Sequence, residues 1–328
     1  MRHGDDGLLM MGEEGDTKRK PSTVSVGGRA SIGYPVTRTR AARPHQLPYV
    51  LALLPAALLF MVVIVAPVFA TGGLSLTNSQ GAGISQFVGL ANFRTIVTTG
   101  LFWQSVRITC VLAACGTGGA VLLGTLLATA SMRLRVSMIY GIIWFLPFIL
   151  PLPMLGVYWY NAFQPTYGVV DSVLGGVGLG ANHAWLASPG TALYVVVGVW
   201  IWIETGFCYV MILGAMRQIS PSIHEAATVD GASGMVQFRA ITFPLIRPVL
   251  VVVVLLEVVF TVNAFALVTV LTNGGPGDST LILGLLIYRT AFVNHQLGLA
   301  AAQALGGGLL FVVLAALLLR FAKSRISQ

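Results

Sequence analysis

Residues 217–248, RQISPSIHEAATVDGASGMVQFRAITFPLIRP, decide how the rest of the chain is read. An apolar run long enough to cross a bilayer lies on each side, yet this stretch holds Arg217, His224, Glu225, Asp230, Arg239 and Arg247. A segment so charged belongs in water or against a protein. Its local pattern is helix, turn, helix. Ser220 is placed to cap a first helix, and Pro221 at the first helical position lacks only an amide that would go unpaired there. That helix runs through HEAATV to Gly231, a residue type that supplies the left-handed backbone on which helices end. Ser233 is placed to cap a second short helix towards Phe243. Pro244 and Pro248 are expected to close the stretch and fix where the next span begins. Short amphipathic helices displayed in this way suit a groove on a soluble partner.

Composition sets the class. Hydrophobic residues make up 56% of 328 and charged residues 9%, with a mean hydropathy of +0.84. A soluble globular domain of this size does not show that balance, so the fold class is an all-α polytopic membrane protein. Apolar runs of the length a hydrocarbon core needs place six spans at about 48–70, 102–131, 136–162, 190–215, 248–272 and 297–320. The first is too long, and too poor in a cleavage site, for a signal peptide. Residues 1–46 are polar and basic and lack periodic apolar positions. They read as a disordered cytoplasmic tail ahead of a transmembrane domain over 47–328.

The net charge of +8 is explained by where the cations fall. With the N-terminus inside, the inner side receives the tail, Arg133, Arg135, Arg217, Arg239, Arg247, Arg320, Lys323 and Arg325. The outer side receives Arg94, Arg107 and Arg289. That asymmetry puts both termini and the 217–248 loop in the cytoplasm. The positive charge then answers to anionic lipid headgroups, with no need of nucleic acid. Cys110, Cys115 and Cys208 all fall inside spans without metal-ligand spacing, so they read as small packing residues and no metal site is expected.

EAATVDGASGMVQFRAITFPLIRP resembles the EAA loop, EAAxxDGAxxxxxFxxIxLPxxxP, of permease subunits in bacterial binding-protein-dependent ABC importers. Phe243 stands where the pattern has Leu. GLANF at 89–93 and GVVDSVLGGVGL at 168–179 resemble outer connections of the same permeases. LTNGGPGDSTLILGLLIYRTAF at 271–292 resembles the TxGGPxxxT loop of the maltose-transporter type. From its residues alone, Gly274 to Gly277 form a tight turn, after which Ser279 or Thr280 is placed to cap a helix. The resemblance implies a type I importer fold with a cytoplasmic coupling helix on a separate ATPase. Ile223, Glu225, Ala226, Ala227, Val229, Asp230, Gly231 and Ala232 would form that contact. It also implies two ATPase subunits, a second and different permease chain, an extracytoplasmic solute-binding protein and the bacterial inner membrane. The chain has three lysines and no Gly-Lys pair, so it holds no phosphate-cradling GxxxxGK loop. ATP and Mg belong to the partner, this chain has no cofactor, and it is not itself an enzyme.

Glu204 and Glu257 lie within spans, where a charged carboxylate costs about 3 kcal/mol or more, so each should face a cavity or a partner. Helical spacing puts Trp200, Phe207 and Glu204 on one face, and Glu257, Phe260 and Thr261 on another. In the family these helices line the translocation path, and aromatics beside a carboxylate and a hydroxyl suit a sugar. Pro147, Pro151 and Pro153 are expected to break the third span. Gly116, Gly118, Gly119 and Gly124 are expected to let the second span pack closely. Two other classes compete: an ion-coupled secondary carrier using the two acids, for which no inverted repeat is visible, and an intramembrane enzyme, for which no nucleophile or metal motif is visible.

Overall fold

The computed structural model describes residues 47–81, 85–134, 138–176 and 183–326. The expected tail, Arg135 and residues 177–179 lie outside these. The chain divides at Pro55 and Ala56, and of the first unit only the start of one helix is described. Apart from the first residues of that helix, all that follows concerns residues 56–326.

Among the described residues the fold is helical, with one isolated bridge between Thr77 and Phe87. Five helices among the described residues are long and apolar enough to cross a membrane, six if a bent pair is counted as one span. Helix α1 covers Ala52–Ser75 and α2 Ala91–Thr98; α3, Gly100–Leu134, is a crossing of 35 residues. The third crossing is broken into α4, Met138–Ile149, and α5, Leu152–Ala162, bent by 100°. Val169–Gly176 forms α6, and Ala192–Arg217 forms the central crossing α7. The charged loop forms α8, Pro221–Val229, and opens α9, Gly234–Thr261. Then come α10, Phe265–Leu271, α11, Leu283–Val293, and α12, Leu297–Ile326.

Small residues decide how closely the helices approach. A Cβ at Gly116 would lie 2.6 Å from the Trp200 ring, at Gly119 2.4 Å from Ile201, and at Gly124 2.6 Å from Cys208 Cβ. These three glycines let α3 lie against α7 as expected. Gly118 does not, since nothing lies within 4 Å of its position. With α3 on one side, α7 buries Val196, Val199, Trp200, Ile203 and Ile212 almost completely. By contrast α1 exposes Leu58, Phe60, Val63 and Phe69 by more than half, as a helix facing hydrocarbon or another chain does.

Of the three prolines in the third crossing, one breaks it. Pro147 remains inside α4, and Pro153 sits in the first turn of α5 where its missing amide costs nothing. Pro151, with ψ 127°, makes the break. The expected boundary at Pro244 and Pro248 is corrected: both lie within α9, after a widened π-type turn at Phe238–Thr242. Such a turn relieves the clash between a proline ring and the preceding carbonyls. The span expected over 248–272 therefore starts at Gly234, and it is interrupted at Asn263 and Ala264 before α10.

The predicted capping of the helix after the glycine turn is also corrected. α11 starts at Leu283, and its amide is taken at 2.9 Å by Thr109 Oγ1 from α3. Thr280 instead donates to the Gly275 carbonyl at 2.8 Å and pairs with Thr272 at 2.7 Å, closing the turn itself. Gln104 of α3 donates to the Asp278 carbonyl at 3.1 Å. Arg289 holds Asp278 at 3.1 Å and also donates to the Asn273 carbonyl.

Candidate functional site

At the other end of α3, α7 and α9 from that turn, α8 projects as a hairpin. Pro221 takes the first helical position as expected. Ser220 makes no capping bond, because its hydroxyl pairs with that of Ser222 at 2.8 Å. Ser233 makes none either. The C-terminal end is closed as its glycine foretold: Gly231 has φ +77°, its amide donates to the Thr228 carbonyl at 3.0 Å, and the Ala232 amide donates to the Ala227 carbonyl at 2.9 Å. That pair of bonds is the Schellman ending, which satisfies carbonyls the helix would otherwise leave open.

The outer surface of α8 carries apolar side chains that nothing in this chain covers. Val229 is 88% exposed and Ile223 43%. Glu225, Ala226, Asp230 and Gly231 are exposed, while Ala227 and Ala232 are half-buried. All eight residues expected to make the coupling contact thus lie on one hairpin.

Sequence reasoning missed what holds that hairpin in shape. Gln237, on the first turns of α9, donates through Nε2 to Thr228 Oγ1 and to the Ala232 carbonyl, each at 3.0 Å. Its Oε1 meets His224 Nδ1 at 3.3 Å. Gln237 therefore ties α8 to α9 across the turn. The available signal was a lone amide in the apolar run MVQF, which spacing alone does not explain. Behind the hairpin a hollow of about 370 Å³ is lined by the ends of α3, α7, α8 and α9, with Arg133, His224 and Glu225 among its walls.

The second group of expected residues sits in the membrane part. Glu204 and Glu257 are 3% and 0% exposed. Cys208, one turn beyond Glu204 on α7, donates to Glu257 Oε1 at 3.1 Å. This corrects the reading of Cys208 as packing alone, since it is the partner of a buried acid. Cys115, by contrast, is exposed. The Oε2 atoms of both Glu204 and Glu257 have no hydrogen-bond partner. Thr261 is buried and spends its hydroxyl on the Glu257 carbonyl at 3.0 Å. Trp200 is buried against Gly116 in the core, 1% exposed. Phe207 and Phe260 meet edge to face at 5.3 Å. Phe148 of α4, which the sequence did not single out, joins them at 5.1 and 5.9 Å.

The family model for binding-protein-dependent transport system inner membrane components matches residues 120–327. A probable ABC transporter permease protein of Pyrococcus horikoshii is 33% identical, over 80% of this chain and 91% of its own length. The trehalose/maltose transport system permease of Thermococcus litoralis is 30% identical, over 78% and 85%. Two structures of a bacterial ABC transporter for the acidic polysaccharide alginate share the fold, each with a TM-score of 0.73. They cover 86% of this chain and 97% and 96% of theirs, at 22% and 20% identity. One of them is in complex with a periplasmic protein bound to an alginate pentasaccharide.

Proposed function

This chain belongs to the family of binding-protein-dependent transport system inner membrane components and is an ABC importer permease, not an ion-coupled carrier; on that premise we propose that it moves a neutral carbohydrate inward, driven through the α8 hairpin by a separate ATPase. In this reading the hairpin and both termini face the cytoplasm of a bacterial cell, and the Asn273–Arg289 turn faces an external solute-binding protein. Two ATPase subunits carry the ATP and Mg, and a second, different permease chain completes the path.

The observation that carries the ATPase reading is the hairpin's surface. Val229 stands 88% exposed on a helix whose C-terminal end is closed by backbone bonds and which Gln237 ties to α9. Exposed apolar side chains on a fixed short helix are what a docking cleft covers. Burying one valine contributes about 1.5 kcal/mol or more, or roughly tenfold in affinity. Because Val229 packs on little in this chain, Val229→Asp is expected to leave the permease folded. It should weaken ATPase binding at least tenfold and abolish solute-stimulated hydrolysis. Unchanged stimulation in that variant would refute the hairpin's role.

The carbohydrate reading is supported by relatives such as the trehalose/maltose permease, and its neutral character by the path's chemistry alone. Among the described residues the buried carboxyl side chains in the crossings are Glu204 and Glu257, and no Lys or Arg is buried. A phosphate or carboxylate solute calls for a cationic fork, whereas hydroxyl donors suit open carboxylate oxygens and ring faces. Identification of the ligand carried by the cognate binding protein checks this: a neutral saccharide or polyol is expected, and an anionic one would overturn it.

A further inference from the structure

The hollow behind the α8 hairpin has a charge pattern that solute passage does not use; its place at the inner membrane face rests on the orientation proposed above. Its volume of about 370 Å³ falls among small-molecule sites, roughly 300–1,000 Å³. Three crossings end in its walls. Thr129 and Arg133 come from the last turns of α3, Met216 from the end of α7, and Phe238 and Thr242 from the start of α9. The hollow therefore straddles the boundary between hydrocarbon and cytoplasm, at the depth of lipid headgroups.

From α8 come Pro221, His224 and Glu225, which share one helical face by three- and four-residue spacing. A closed set of bonds holds that face in place. The Ala232 carbonyl can only accept, so the Gln237 nitrogen that meets it at 3.0 Å donates, and Oε1 is left to face His224. His224 Nδ1 therefore carries the proton that it donates to Gln237. Gln237 Nε2 also donates to Thr228 Oγ1 at 3.0 Å, and Thr228 donates in turn to the His224 carbonyl at 2.8 Å. Glu225, next to His224, is thus carried on a fixed wall.

Arg133 stands in the same hollow from α3. Its guanidinium lies over the start of α9, since a Cβ at Gly234 would come within 2.8 Å of Nη2. Glycine there leaves the room that the guanidinium fills. Arg133 and Glu225 line one hollow, yet among the described residues Arg289 pairs with Asp278 and these two do not pair. Much of the remaining wall is apolar, from Met132, Met216, Ile219 and Phe238. A cation and an anion kept apart beside apolar walls match a molecule that carries both charges on a short arm above an apolar body.

We propose that this hollow binds one phospholipid with a phosphoethanolamine headgroup, its phosphate on Arg133 and its ammonium on Glu225. Met132, Met216, Ile219 and Phe238 meet its glycerol and upper acyl carbons. Because the walls belong to α3, α7, α8 and α9 together, the bound lipid braces the hairpin against three crossings, and coupling through α8 depends on it. A choline headgroup has no N–H to donate to Glu225, and a glycerol headgroup has no cation, so both bind more weakly.

The full complex with its ATPase and binding protein is reconstituted in nanodiscs of palmitoyl-oleoyl phosphatidylethanolamine, phosphatidylcholine and phosphatidylglycerol in equal amounts. The lipid that stays bound after extraction into detergent is identified and counted by mass spectrometry. Retained phosphatidylethanolamine is expected, reduced roughly tenfold by Arg133→Gln and less by Arg133→Lys. Glu225→Gln should erase the preference over phosphatidylcholine. Solute-stimulated hydrolysis should fall by a similar factor in discs without phosphatidylethanolamine and in Arg133→Gln. Equal retention of all three lipids, or unchanged retention in Arg133→Gln, would mean an adventitious lipid only and overturns the site. Retention lost in Arg133→Gln with stimulation unchanged overturns the coupling role. Val229→Asp separates the two readings: it should keep the lipid and lose stimulation, and stimulation surviving there would sink the hairpin's role while lipid retention still decides the site.

Discussion

At Arg289 a single side chain does two jobs that its charge alone does not reveal. It pairs with Asp278 at 3.1 Å, with side-chain exposures of 31% and 42%, and it donates to the Asn273 carbonyl. A half-exposed ion pair contributes about 0–1 kcal/mol. The bond to the carbonyl acts where the backbone is already in the left-handed region, at Asn273 with φ 45° and Asp278 with φ 58°. Asp278→Asn keeps an acceptor oxygen and a residue tolerant of that conformation, so it should lower stability by less than about 1 kcal/mol. Arg289→Ala removes both bonds and should cost roughly 1 kcal/mol more. Thermal unfolding of the two variants in detergent checks this, and equal losses would contradict it.

Legibility at this scale followed backbone constraint. Gly231 was readable because few other residues take φ +77° without strain. Ser220 was misread because a hydroxyl has several partners within reach, and Ser222 won. Cys208 was misread because its partner, Glu257, lies on another helix, and nothing local to VWIWIETGFCYV announces that contact.

Among the helices, the α3–α7 seam sets the architecture, and its glycines are not equivalent. A Cβ at Gly124 would stand 2.6 Å from Cys208 Cβ and 2.9 Å from the Tyr209 amide nitrogen, whereas at Gly118 it meets open space. Overpacking a seam of this kind costs about 1–3 kcal/mol, and replacing an uncrowded helical glycine by alanine gains up to about 1 kcal/mol. Gly124→Ala should therefore lower the yield and thermal stability of folded permease, and Gly118→Ala should match or exceed the parent. A stable Gly124→Ala protein would place the seam wrongly.

The existence and approximate ends of the crossings were legible, because a run of about 20 apolar residues has few other uses. The breaks were legible only in part. Three prolines marked the third crossing as broken, but which of them breaks it depends on turn position: Pro151 does so, while Pro147 and Pro153 are absorbed. The widened turn before Pro244 had no local signature, so the fifth crossing was expected to begin too late. Phe148 escaped notice because its meetings with Phe207 and Phe260 are tertiary contacts of α4 with α7 and α9.

For the molecule as a whole, the two ends of the bundle have opposite characters. One presents the turn locked by Arg289, Thr280 and Gln104, which is bonded to α3 and suits a fixed docking platform. The other presents the α8 hairpin, tied to α9 by Gln237 and otherwise uncovered, which suits a lever. Between them lie the two buried acids and the cluster of Phe148, Phe207 and Phe260. The hairpin was the most legible feature of the chain, since a charged stretch between two crossings has to leave the hydrocarbon and its glycine, acidic and proline positions fix its path. The acids were legible by their cost in a membrane, but their mutual arrangement waited on the packing of α7 against α9.

What joins the two ends is the claim that a separate nucleotide-hydrolysing motor drives this chain through α8. Solute uptake into liposomes holding the purified complex decides it, with ATP and Mg supplied on the hairpin side in one arm and a proton gradient imposed without nucleotide in the other. Uptake that starts with ATP, stops when hydrolysis is blocked and is lost in Val229→Asp is the expected result. Uptake sustained by the gradient alone, or by this chain with no ATPase present, would contradict it.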